Sequence, residues 1–332
     1  MPWVFAYGSN MHLADLARWM HAHRFGRPGI HRMQRAALPG HRLAWNYRSP
    51  ARGAGAANVV PAPGRVVPGL LLEVDERTLA ALDAKEGHPV RYSRGDRPLP
   101  VRVEGAAARR AWVYRVTPRW EREDGTWPTA EYLALLIRGA IDARLPGPHL
   151  RRLVHTPSRA RGGEIVRPAA PSDLPGIAAV HAAAFEVAHA RWIRPEARAA
   201  LSAQAFAHRW TRFFAEARRR RHTGAWVAVT GETVAGVLSL APSRDADAAG
   251  QEIRALYVAP DRLRRGIGRA LLERALWLHP DRPYTLWVVE DNRRARAFYE
   301  ALGFRPDSAR RRIPIGPIEA PALRYRRRGG LP

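Results

Sequence analysis

Two short peptides far apart in the chain constrain its fold most: FAYGSNM, Phe5 to Met11, and LYVAPDRLRRGIGRALLERAL, Leu256 to Leu276. Each reads as an apolar strand running into a turn. Such a turn aims several backbone amides at one point, where an anion can sit. Two anion sites of this kind, one near each end, point to two catalytic domains in one polypeptide. A chain of 332 residues is comfortable for two domains of ~150 residues each. Its apolar fraction of 46% leaves enough for two cores.

The pattern changes between the halves. The first predicts strands at Trp3–Tyr7, Leu43–Tyr47, Ala57–Pro61, Gly69–Val74 and Ala111–Val116, parted by Gly and Pro. Helices are expected at Leu13–His21, at Glu76–Glu86 stopping at Gly87, and at Thr129–Leu145 with Thr129 as cap. Many strands with few helices predict a small, mixed, barrel-like α+β domain over residues 1–154. HTPSRARGG, within 155–163, reads as a linker. The second domain, 164–328, predicts strands at Glu164–Arg167, Trp226–Thr230, Val234–Ala241, Ile253–Val258 and Tyr284–Val289. Helices are expected at Ser172–Ala184 with Ser172 as cap, Ala205–Arg221, Arg265–Leu278 and Arg293–Leu302. Phe206, Trp210, Phe213 and Ala217 stand at helical spacing and read as core.

Composition excludes several classes of function. There is no cysteine, hence no disulfide, thiolate metal site or cysteine nucleophile. The histidines show no metal-ligand spacing, so no metal is expected. No apolar run reaches the ~18 residues that span a bilayer, and no signal-peptide layout opens the chain, so a cytoplasmic protein with no membrane partner is expected. The formal charge of +25 suggests nucleic acid at first. Lys85 is the only lysine, however, and the arginines are spread along the whole chain rather than gathered in one patch. Solvated faces and acidic small ligands fit that spread better than nucleic acid does.

In FAYGSN the amides of Gly8, Ser9 and Asn10 form a candidate nest for an oxyanion or carboxylate. In LDAKEGHPVRY, Glu86 ends a helix amid apolar neighbours, where its charge opposes the dipole; a partly buried carboxylate there is a usable base near neutrality. Together with LAWNY (43–47), GAANVVPAPGRVVPGLL (55–71), Tyr92 and WPTAEYL (127–133), these peptides resemble the gamma-glutamylcyclotransferase family over most of residues 1–150. The resemblance implies a small barrel whose YGSN loop cradles a γ-glutamyl amide, with Glu86 as general acid/base and 5-oxoproline and a free amine as products. Tyr7, Tyr92 and Tyr132 are candidate substrate-binding hydroxyls.

In the second constellation, Arg264, Arg265, Gly266, Ile267, Gly268 and Arg269 stand at a helix entrance, where amides and dipole favour a pyrophosphate. YTLWVVEDNRRARAFYEALGF supplies a strand and a helix on which Asn292 and Tyr299 share a face. With the opening IVRPAAPSDLPGIAAVHAAAF, this resembles the GNAT acetyltransferases over roughly Glu164 to Arg328, a mixed α/β sheet domain. The resemblance implies acetyl-CoA held by Leu256, Val258, Arg264–Arg269 and Asn292, with Tyr299 protonating the departing thiolate. Leu263 departs from the motif, which usually has Gln or Arg there; Arg262, Arg264 or Arg265 can supply the missing charge. Glu252 is the candidate base for the acceptor amine, with Glu290 and Asp291 as alternatives, although Asp291 is also placed to cap the next helix. The loops near Val187–Arg198 and Ala241–Gly250 are expected to meet the acceptor.

The expected function is bifunctional: release of an amine from a γ-glutamyl amide, and acetylation of an amine. Two alternatives stand beside it. The first domain can be a module that binds a γ-glutamyl or acidic ligand without chemistry. The second can acetylate a nucleic-acid-associated protein.

Overall fold

In a computed structural model describing residues 1–190, 193, 201–220, 222–315 and 318–329, one long hairpin organises the first half. β1 (Trp3–Ala6) leads through a 3-10 turn at Ser9–Met11 into α1 (Leu13–Ala22). β2 (Ile30–Ser49) and β3 (Ala54–Val74) then pair antiparallel along nearly their whole length, with register shifts at Ile30/Arg32, Pro39/His41 and Ala44/Tyr47. The strands read separately at Leu43–Tyr47, Ala57–Pro61 and Gly69–Val74 are thus parts of two long ones. Each proline removes one ladder donor, but bulges keep both flanks paired and curl the ribbon.

α2 (Glu76–Glu86) is capped by Asp75, which accepts from Thr78 N–H at 2.7 Å, and closed by Gly87 at φ 68°. β4 (Tyr92–Ser93), β5 (Leu99–Val103), β6 (Arg109–Ala111) and β7 (Arg115–Val116) follow. The sheet runs β1-β3-β2-β5-β6. It closes on itself because Phe5 N–H donates to Trp112 O at 2.9 Å and Trp112 N–H to Trp3 O at 2.8 Å. The expected barrel is therefore present, with Phe5, Leu38, Val59, Leu71 and Val101 among its buried residues. α3 (Ala130–Asp142) ends earlier than the pattern suggested and α4 (Gly147–His155) follows it. Thr129 caps α3 as expected.

The chain packs as two compact units, Met1–Ser158 and Arg159–Pro332. The stretch read as a linker is ordered: α4 reaches His155, and β8 (Ser158–Arg159) lies at the edge of the second sheet.

In the second unit come β9 (Ile165–Pro168), α5 (Leu174–His189), α6 (Ala203–Arg219), β10 (Gly224–Thr230), β11 (Thr233–Pro242) and β12 (Gln251–Val258). α7 (Ile267–Leu278), β13 (Tyr284–Val289), α8 (Arg293–Ala301), β14 (Arg305–Ile315) and β15 (Ile318–Arg327) complete it. Among the described residues the sheet order is β14-β15-β13-β12-β11-β10-β9-β8. Strand alternation splits its side chains between two cores. Trp226, Leu238 and Leu286 pack with Leu271, Leu272 and Phe304. Val227, Val229 and Val237 pack with Ile177, Phe185, Phe206 and Trp210. The aromatic stripe of α6 is core at Phe206 and Trp210, as read. Ser172 is not a cap: it lies in a 3-10 turn, and Asp173 is the N-cap of α5 while its carboxylate pairs with Arg167 at 2.7 Å. No described helix is long and apolar enough to cross a membrane.

Candidate functional site

The YGSN turn sits where β1 leaves the barrel. Its first backbone hydrogen bond is Met11 N–H to Gly8 O at 3.1 Å, so the turn itself gives no partner to the amides of Ser9 and Asn10. Gly139 of α3 backs the turn so closely that a Cβ there would lie 2.7 Å from Met11 Cβ. Only glycine admits that approach.

Glu86 reaches the turn from the end of α2. Asn10 Nδ2 donates to Glu86 Oε1 at 2.8 Å, and Lys85 Nζ donates to Asn10 Oδ1 at 2.6 Å. An ammonium has no acceptor, so Lys85 fixes which way the Asn10 amide points. The Lys85 side chain is only 7% exposed, and burial holds its ammonium below the usual lysine range, partly offset by Glu86 and Asp15. Sequence reasoning missed Lys85; its one signal was its place beside Glu86 as the chain's single lysine.

The three tyrosines gather here, but their hydroxyls serve the main chain. Tyr7 donates to Tyr114 O at 2.6 Å and Tyr92 to Ala57 O at 2.8 Å, while Tyr132 accepts from Ala57 N–H at 3.2 Å. Burial, with Glu86 adding to it, raises all three above the ordinary tyrosine range, so they stay protonated. The Arg52 guanidinium lies 4.3 Å over the Tyr132 ring.

The second unit carries a cavity of about 1300 Å³. It opens because two parallel strands part. β12 and β13 pair only at Gln251/Tyr284, Glu252/Thr285 and Ile253/Leu286. Beyond that register Arg254–Val258 and Trp287–Val289 line opposite walls. Leu256 and Val258 are on the first wall, as expected.

At one end of the cavity is the amide turn. Arg264 and Gly266 are both left-handed, with φ 65° and 81°. The first bond of α7 is Ala270 N–H to Gly266 O at 3.0 Å, which leaves the amides of Ile267, Gly268 and Arg269 without helix partners. Arg262, Leu263, Arg264, Gly266 to Arg269, Asn292 and Arg293 line this end. Arg265 is exposed and stands off the lining. The amides, the dipole and the guanidinium of Arg264 fit a pyrophosphate. Asn292, not Asp291, caps α8: its Oδ1 accepts from Ala295 N–H at 3.0 Å, so only its Nδ2 remains for a ligand.

Tyr299 lines the cavity and is buried; burial pushes its hydroxyl above the ordinary range, with Tyr257 adding to it. Glu252 also lines it, only 2% exposed, with both oxygens held by Arg244 at 2.5 and 3.0 Å. Glu290 is not on the lining and pairs with Arg310 at 3.3 Å, while Asp291 is on it. Of the two segments expected as acceptor loops, Arg244 lines the cavity from the second, and Val187, Ala188 and His189 line it from the first, where they form the end of α5 rather than a loop. Residues 191, 192 and 194–200 lie outside the described residues.

His181 carries no signal in the sequence. Its ring is stacked between Tyr257 and Phe206, with centroids 4.0 and 3.9 Å away, and Trp210 Nε1 donates to its Nδ1 at 3.0 Å. Among the described residues no cluster of three or more His, Asp or Glu side chains could hold a metal ion.

Comparison with known proteins matches residues 4–133 to the family "Gamma-glutamyl cyclotransferase, AIG2-like" and residues 187–304 to the "Acetyltransferase (GNAT) family". A probable N-acetyltransferase of Mycobacterium tuberculosis is 31% identical over 163 residues, 48% of this chain and 91% of that protein. Among solved structures, a gamma-glutamyl cyclotransferase aligns with 20% identity and a TM-score of 0.40, over 47% of this chain and 88% of its own. The PaiA N-acetyltransferase of Thermoplasma acidophilum, solved in complex with coenzyme A, aligns with 16% identity and a TM-score of 0.40, over 49% and 97%.

Proposed function

Because the chain belongs to the GNAT acetyltransferases and also carries a gamma-glutamyl cyclotransferase, AIG2-like domain, we propose that it is a bifunctional enzyme, cyclising a γ-glutamyl amide in one unit and acetylating an amine in the other. The observation that carries the first half is the Asn10–Glu86 hydrogen bond, which puts the one candidate base on the amide-bearing turn. A binding module has no need of that placement, so it favours chemistry over ligand capture alone.

The substrate brings its own nucleophile, an α-amine that is protonated near pH 7. Glu86 takes a proton from it. The amine attacks the γ-carbonyl of the same molecule, and ring closure supplies the proximity. The amides of Ser9 and Asn10, which the turn itself leaves without partners, steady the developing oxyanion. Glu86 returns the proton to the departing amine as the C–N bond breaks, and the ring nitrogen gives up its second proton to the departing amine or to water, leaving 5-oxoproline and a free amine. Tyr7, Tyr92 and Tyr132 act as scaffold by holding Ala57 and the Tyr114 carbonyl in place around the turn.

In the second unit acetyl-CoA supplies an acetyl group already activated as a thioester. The amides of Ile267 to Arg269, with Arg264, would hold its pyrophosphate. The edge of β12 turned toward β13 has no strand partner beyond Ile253 among the described residues and suits an extended, amide-bearing arm. Tyr299 stays protonated and donates to the leaving sulfur. Glu252 orients the acceptor amine, and its proton leaves through water because both Glu252 oxygens are taken by Arg244.

The test is direct. The protein is incubated with a panel of γ-glutamyl amines while 5-oxoproline is followed, and with acetyl-CoA and a panel of amines while free CoA is followed. Product in both assays supports the reading; a blank in either removes that half.

A further inference from the structure

The cavity of the second unit has walls of unequal charge away from the amide turn. Its carboxylates there are already matched: Glu216 lies 3.4 Å from both Arg220 and Arg254, and Glu252 is held by Arg244. The cations of α6 are not. Arg209 and Arg212 line the cavity, are exposed, and have no carboxylate partner among the described residues. Arg209 lies over the Phe206 ring at 5.0 Å, and Phe206 is the ring stacked on His181.

His181 adds a donor of fixed direction. The indole N–H of Trp210 can only donate, so the Nδ1 it meets carries no proton and a neutral ring holds its proton on Nε2. Burial and the charge of Arg209 push the imidazole down to about 3, so it is neutral at working pH. Nε2 meets no described protein acceptor, and His181 is on the cavity lining. His181 is therefore not a base for the acceptor amine; it presents an N–H. It stacks on Tyr257, the residue whose hydroxyl adds to the cost of ionising Tyr299. Tyr299, Tyr257, His181 and Arg209 line the same cavity, so an amine reacting beside Tyr299 can place its other atoms against His181 and Arg209.

Resting on the acetyl-transfer reading, we propose that the acceptor is a small amine that also bears a carboxylate, whose oxygens are bound by His181 Nε2–H and the Arg209 guanidinium. A guanidinium fork and a neutral N–H match two carboxylate oxygens, whereas a plain polyamine would leave both of these donors unmatched.

Ornithine and 1,4-diaminobutane test this, since they differ only by the carboxylate. Binding to the full-length protein is measured by calorimetry, with and without acetyl-CoA, and acetylation by kcat/KM. We expect ornithine to be favoured by at least about tenfold, as one charge-assisted contact suffices for that ratio. Arg209→Gln should cut the ratio by about tenfold; His181→Phe should reduce it and His181→Gln, which keeps an N–H donor, should restore part of it. An ornithine preference that depends on Arg209 but comes without acetyl transfer would uphold the anion site and remove the acetyltransferase reading. Acetylation indifferent to the carboxylate, or faster with diaminobutane, would overturn the proposal and leave that reading standing. No preference and no acetylation would overturn both.

Discussion

Asn10 and Glu86, 76 positions apart in sequence, are joined by a hydrogen bond of 2.8 Å that ties the amide-bearing turn to the end of α2. The direction of that bond is set by Lys85, which donates to the other end of the same carboxamide at 2.6 Å. Lys85→Met keeps the length of the side chain and removes the donor. The Asn10 carboxamide then keeps only its bond to Glu86, loses the contact that anchors its oxygen, and holds the carboxylate less firmly. Cyclisation should fall by about tenfold or more, since small misplacements cost that much. Stability should fall, because the Asn10 oxygen and the Asp15 carboxylate are left without the cation they share. Steady-state kinetics and thermal melting check the pair; full activity in the variant would deny Lys85 a positioning role.

Tyr299→Phe should slow acetyl transfer by about 10²-fold, the usual contribution of one positioned acid. The affinity for acetyl-CoA should stay within about threefold, as no binding contact is removed. Because burial raises this hydroxyl above the ordinary tyrosine range, the wild-type rate should show no alkaline loss from it up to pH 10. Calorimetry with CoA and a pH–rate profile read both points.

Gly266 holds φ 81° at the N-cap of α7, a conformation any Cβ strains. Gly266→Ala should cost about 1 kcal/mol of stability and weaken CoA binding several-fold by shifting the Ile267 to Arg269 amides. Unchanged affinity would mean that those amides do not hold the cofactor.

His149 is buried in the first unit, with neither ring nitrogen bonded to a described partner, and burial pushes it from 6.5 down to about 4. The unfolded chain takes up its proton below pH 6.5 while the folded chain resists until about 4. Stability is therefore complete above 6.5, falls as the pH drops to about 4, and loses nothing further from this group below that. The loss is limited to about 3 kcal/mol. Denaturant melts at pH 7 and 4.5 should show a smaller difference in His149→Leu than in the wild type. An equal difference would assign the acid sensitivity to other groups.

Short-range signals carried much of this to the sequence reader. Gly87 and Thr129 bound their helices through local rules, and the two strand–turn peptides sit at helix entrances whose first amides have no helix partner. The β2–β3 ribbon was not legible, because Pro39, Pro61 and Pro68 look like strand ends unless the partner strand is known. Asp291 lost the cap of α8 to Asn292, one residue on, which local propensity could not decide. Lys85 and His181 were invisible for a different reason. Each gains its role from a residue far away in sequence, Asn10 for the one, Trp210 and Phe206 for the other. A lysine next to a glutamate, or a histidine in an alanine-rich helix, carries no such information by itself.

Glu86→Gln bears most directly on the account, measured as 5-oxoproline formed and acetyl groups transferred by the same preparation. The account expects 5-oxoproline to drop by about 10²–10⁴-fold, the share of a general acid/base, with acetyl transfer unchanged. Cyclisation that survives the substitution would contradict it.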